Sequence, residues 1–293
     1  MRWTPGGESS DIEDQRGSSG GGGGLLGGRS LGIFGTLAVL VLSLVFHQNF
    51  FALLGGGGGG GGADTSQQTS NTPAPPASES PAEHKQVQLV SVVIDDVQAS
   101  WASVLPKSGA QYEKAKLVLY RDGVRSACGF AQSAVGPFYC PVDRKVYLDL
   151  GFFDELRTRF GAPGEFAEAY VIAHEFGHHI QNLLGTEARV RQAREAHPDQ
   201  GNALSVRLEL QADCFAGVWG NSAHQRGILE KGDVENGLRA AASVGDDRLQ
   251  KQATGHVRPE TFTHGSSQQR TEWFQRGFQS GDTSACDTFR SSR

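Results

Sequence analysis

The sequence predicts an α+β domain at the end of a membrane-tethered chain, and three observations predict it. Helical apolar periods and short β-branched runs follow one another in the order helix, small mixed sheet, then helices. Ahead of them lies an uncharged apolar stretch, residues 31–54, long enough to cross a bilayer as a helix. The chain joining the two is built from Gly, Ser, Thr, Pro and Ala, a composition that makes a tether. The 293 residues therefore divide into a polar tail at 1–30, a transmembrane helix at 31–54, a linker at 55–83 and a folded domain at 84–293. A domain of about 210 residues can bury a sizeable core.

The tail carries glycines at 20–24 and is expected to be solvated, since it has too little apolar surface to fold alone. In the apolar stretch His47, Gln48 and Asn49 suit the interface better than mid-bilayer. A cleaved signal peptide is disfavoured by the long leader and the lack of an A-x-A site. Arg2, Arg16 and Arg29 precede the stretch, whereas residues 30–84 hold no Lys or Arg. The positive-inside rule then places the amino terminus in the cytoplasm and the domain outside it, a single-pass topology.

Within the domain, Leu89, Val93, Val97 and Trp101 mark a first helix over 87–105, closed by Pro106. Residues 116–120 and 145–150 read as strands, with one or two more over 126–139 and turns at Gly123, Gly129 and Gly136. A short helix at 152–160 leads into a long apolar one from Phe166 to Leu184, which Gly185 stops. Residues 186–196 read as helix, 197–202 as a polar loop, and 203–219 and 233–244 as further helices. Ser266 or Ser267 can cap a last helix through Gly277.

The long apolar helix carries His174-Glu175-Phe176-Gly177-His178. Two histidines four apart differ by about 40° around a helix axis, so both imidazoles leave one face and can bind one zinc. Glu175 is placed to reach a metal-bound water without binding the metal. On a second helix Glu209 and Asp213 also share a face. Glu209 completes a His2Glu set, and Asp213 can accept the distal N–H of a liganding histidine. Cys214 is about 140° around from Glu209, and His179 about 140° around from His174, so both should face elsewhere.

Net charge is −5, which leaves no basic footprint for nucleic acid. Four cysteines outside the cytoplasm suit disulfides, and three pairings are possible. Cys128–Cys140 closes a short loop, and Cys214–Cys286 would then tie the carboxy-terminal tail to the Glu209 helix. The alternative is four reduced cysteines. No C-x-x-C pair exists to build a zinc cluster.

The paired motifs resemble gluzincin-type metallopeptidases. Residues 174–185 (HEFGHHIQNLLG) and 209–219 (ELQADCFAGVW) resemble more closely the bacterial family of neutral zinc metallopeptidases. The resemblance extends to Met1-Arg2-Trp3, to Asp11–Gly17 (residues 11–17, DIEDQRG) and to residues 136–141 (GPFYCP). It implies a zincin-like α+β domain with one zinc per chain, anchored in the cytoplasmic membrane and cutting peptide bonds in extracytoplasmic proteins or peptides. Glu175 is then the general base. His264 is the first choice for the donor to the oxyanion, with Arg270 and Tyr170 behind it. Residues 130–138, uncharged and upstream of the zinc helix, are the candidate sheet edge on which an extended substrate would lie, with a plain structural hairpin as the equal alternative. The competing expectation is a catalytically idle, zinc-stabilised module that binds or assembles envelope proteins. Retention of Glu175 favours the enzyme, because a structural zinc has no use for a base.

Overall fold

The computed structural model describes residues 1–17 and 79–290. The apolar stretch at 31–54 and residues 55–78 of the expected linker lie outside the described residues, within which no helix is long and apolar enough to cross a membrane; residues 81–83, expected as linker, already belong to the first helix.

Lys-Leu-Val-Leu-Tyr at 116–120 is apolar without alternation, the pattern of a strand covered on both faces. It forms β2 (Lys116–Tyr120), whose last four residues are all buried. Around it a four-stranded sheet runs β1 (Ile12–Asp14), β2, β6 (Lys145–Asp149), β5 (Phe138–Cys140). The first three strands are parallel and β5 is antiparallel to β6, so the sheet is mixed as expected. β3 (Gly123–Ser126) and β4 (Gly129–Gln132) form a separate hairpin. A Cys128–Cys140 disulfide joins its turn to β5.

Helices cover the sheet and build the rest. Ser80 caps α1 (Pro81–Val104) by accepting from the Glu83 N–H, with Pro81 in the first turn. Its buried Val90, Val93, Ile94, Val97 and Trp101 form the inner stripe. α2 (Gly151–Thr158) leads to α3 (Glu165–Leu183), which is buried on nearly every side. α4 (Thr186–Ala196) and a 3-10 turn at Pro198–Gln200 come next. Then follow α5 (Gly201–Gln225), α6 (Asp233–Ser243), α7 (Asp246–Thr254) and α8 (Ser267–Ser280). A reciprocal capping box between Ser266 and Gln269 starts α8. α8 lies on α5 at backbone distance, since a Cβ at Gly277 would run into the Cys214 carbonyl. Cys214 is also bonded to Cys286, which pins the carboxy-terminal tail to α5.

Three expectations change. The amino-terminal tail is not solvated over residues 1–17, because β1 pairs with β2 and Asp11 and Arg16 are buried. The loop at 197–202 is shorter, with helix resuming at Gly201, and Gly123 opens a strand instead of making a turn. α7 had no signal, since Asp-Asp-Arg-Leu-Gln-Lys-Gln-Ala-Thr offers one large apolar residue and no period.

One half-buried carboxyl on α3 gives a pH test of this packing. Burial, and then the neighbouring Glu165, push the Glu168 pKa up to about 7 from 4.5. An acid raised in the folded state costs stability above that value, and the cost vanishes below the unfolded value. Glu168→Gln is therefore expected to raise Tm at pH 8 by roughly 2–4 °C, for about 1 kcal/mol in a domain of this size. At pH 4 thermal melting should find no difference.

Candidate metal centre

α3 and α5 cross with almost no side chain between them. A Cβ at Gly177 would lie 2.8 Å from the Ala212 carbonyl oxygen and 3.0 Å from its Cα. This contact sits between the two histidines on one helix and the two carboxylates on the other. It brings His174, His178 and Glu209 together, with one ligand atom from each all within 4.8 Å of one another. His174 Nε2 is 3.2 Å from Glu209 Oε2, and His178 Nε2 is 3.6 Å from Glu209 Oε1.

The other nitrogen of each ring is engaged, which fixes the tautomers. His174 Nδ1 donates to Asp213 Oδ1 at 2.9 Å. His178 Nδ1 donates to Gln181 Oε1 at 2.9 Å. The Gln181 amide cannot turn over, because its NH2 group donates to the Leu208 carbonyl and to Gln211 Oε1. Gln211 in turn donates to the Cys286 carbonyl at 2.9 Å. Each Nε2 is directed at the Glu209 carboxylate, and two imidazoles beside a carboxylate are the donor chemistry zinc prefers. The residues present fit the ion.

Asp213 is fully buried and is held on four sides. Besides His174, it accepts from the Tyr170 hydroxyl and from Arg270 twice, Nε to Oδ2 at 2.8 Å and Nη2 to Oδ1 at 2.9 Å. Burial opposes its charge, but the guanidinium of Arg270 and then His174 outweigh it and hold the carboxyl down to about 2. Arg270 and Tyr170 therefore lie on the Nδ1 side of His174. Both of these weaker candidates for the oxyanion donor hydrogen-bond Asp213 and so position it. Sequence spacing puts Tyr170 one turn before His174 but could not place Arg270, which comes from α8, in a different part of the chain.

Glu175 is buried, and burial raises its pKa while the charges of His174 and His178 work against that rise. A carboxylate pushed upward is a better proton acceptor near neutrality. His264 sits in the loop before α8. The N–H groups of Thr263, His264 and Gly265 all donate to Asp246 Oδ2, and His264 Nδ1 is 3.2 Å from Asp246 Oδ1. Burial lowers the affinity of His264 for a proton, but the Asp246 hydrogen bond and the Glu209 charge raise its pKa overall. Gly265 packs on Val206 and Leu210, which flank Glu209, so the loop lies against the turn of α5 that carries the third ligand. His179 points elsewhere, as expected: its Nε2 donates to the Glu113 carbonyl and its Nδ1 accepts from the Tyr139 hydroxyl. Cys214 faces Cys286.

Gly177→Ala tests the crossing. Overpacking here is expected to cost about 1–3 kcal/mol and to weaken zinc binding as well, because the ligands come from both helices. Thermal melting and a zinc titration of the same variant measure the two effects.

A sequence model of the family described as "Putative neutral zinc metallopeptidase" matches residues 1–289. The uncharacterized protein YpfJ of Escherichia coli strain K12 is 47% identical over 293 residues, 99% of each chain. An uncharacterized protein of Mycobacterium tuberculosis strain H37Rv is 47% identical over 206 residues, 67% of this chain and 68% of its own. No solved structure matches the chain.

Proposed function

Because the chain belongs to the neutral zinc metallopeptidase family, we propose that it is a zinc-dependent endopeptidase acting on peptides or proteins outside the cytoplasm. The observation that carries the reading is Glu175, a buried carboxylate beside a three-ligand set that leaves a position open. His174, His178 and Glu209 would hold one zinc. Bound there, the ion supplies a Lewis acid for the scissile carbonyl and lowers the pKa of a water.

Glu175 accepts the proton of that water and delivers it to the leaving amine. His264, held by Asp246, donates to the oxygen on which negative charge develops. Asp213, fixed by Arg270 and Tyr170, keeps His174 in its liganding tautomer. β5 has no neighbour on its outer side among the described residues, and Tyr139 on it bonds to His179 of α3. The strand offers an extended substrate an edge to pair with, whereas most of the expected edge at 130–138 is a separate hairpin strand and a 3-10 turn. This helix pair with a mixed sheet is consistent with a zincin-like fold. Two disulfides support an oxidising, extracytoplasmic location.

Metal analysis of the full chain, followed by a peptide-library digest with and without chelator, tests the reading. One zinc per chain and chelator-sensitive cleavage are expected. A zinc-loaded chain that cuts nothing would favour the idle binding module.

A further inference from the structure

The amino-terminal segment is built into the folded body. Ladder hydrogen bonds continue beyond both ends of β1, the Leu117 N–H donating to the Asp11 carbonyl and the Gln15 N–H to the Leu119 carbonyl, each at 2.8 Å. Asp11 accepts from Gln98 of α1 and from Lys114 and Lys116 at 2.7–2.9 Å. The side chain of Arg16 is 1% exposed and donates to Asp14, Glu79 and Glu83. Ser9 donates to Asp95 of α1 at 2.6 Å, the Trp3 indole to Glu165 of α3 at 2.9 Å, and Lys145 of β6 to Glu13. Withdrawing the segment would expose the β2 edge and strand charges on α1 that are now paired.

The described amino-terminal segment ends at Gly17 and the described domain begins at Glu79. An odd number of bilayer crossings between those points would put them on opposite faces. β1 could then pair with β2 neither in its own copy nor in another. The single crossing expected from the arginine bias is thus incompatible with a docked β1. The bias also has a second origin, since Arg16 is consumed by three carboxylates and Arg2 lies 3.4 Å from Glu230. We propose that residues 1–17 and the domain at 79–290 lie on the same side of any membrane that carries the protein.

Site-directed thiol labelling of the full chain in sealed spheroplasts tests this. All four native cysteines are paired, so only an introduced thiol reacts. Gly6→Cys and Glu8→Cys report on the amino-terminal segment and Lys251→Cys on the domain. All three positions are exposed, and a Cβ at Gly6 meets nothing within 4 Å. A membrane-impermeant maleimide is applied before and after permeabilisation. Equal accessibility at all three positions is expected. Reaction of Lys251→Cys before permeabilisation, with Gly6→Cys and Glu8→Cys silent until after it, would overturn the proposal, as would the reverse pattern.

Discussion

Glu175→Gln is expected to keep its zinc and its melting temperature while losing turnover by about 10²–10⁴-fold, the usual range for a general base. Glu175 makes no metal contact in the proposed set, so zinc content should equal that of the wild type. The neutral amide also suits a buried position whose carboxylate is disfavoured by burial, so stability should not fall. Zinc analysis, thermal melting and turnover of the best library peptide are read on one preparation. Cleavage at the wild-type rate with zinc intact would remove Glu175 from the mechanism.

Arg270→Met should have the largest effect on stability. It leaves Asp213 charged, fully buried and short of two donated hydrogen bonds. Breaking a buried pair from one side typically costs about 3–5 kcal/mol. Much of that cost is the stranded charge, so Asp213→Asn combined with Arg270→Met should be less destabilised than the sum of the two single variants. The pH dependence has a definite sign. Asp213 is depressed from 3.8 to about 2, so its contribution is present above about pH 4 and lost as the pH falls through 2. Denaturant melts at pH 7 and pH 3 on wild type and Arg270→Met measure the difference, which should shrink at the lower pH.

The centre was legible where its chemistry is local. Two histidines one turn apart, and two acids one turn apart, announce a shared face on any helix, and the helices themselves follow from their apolar periods. Gln181 and Gln211, which fix His178, were not legible, because glutamine is ordinary on a helix and its role depends on the neighbouring helix being present. The same is true of Arg270, whose meaning comes from a carboxylate on another helix. β1 was hidden for a related reason. Ile12-Glu13-Asp14 carries no pattern of its own and becomes a strand only because β2 offers an edge. In each case a partner distant along the chain decides the outcome, and local periodicity does not show that partner.

The separation of these partners also sets an order in time. During synthesis His174, His178, Glu209 and Asp213 have all left the ribosome well before the residues that hold them rigid. Arg270 follows Asp213 by 57 residues, and Cys286 follows Cys214 by 72. Until those late residues arrive, Asp213 has no guanidinium beside it, α8 is not against α5, and Gln211 lacks the carbonyl that orients it. A nascent chain therefore owns all the proposed ligands but no firm geometry, and the proposed centre matures only when the last part of the polypeptide has been made, docked and oxidised.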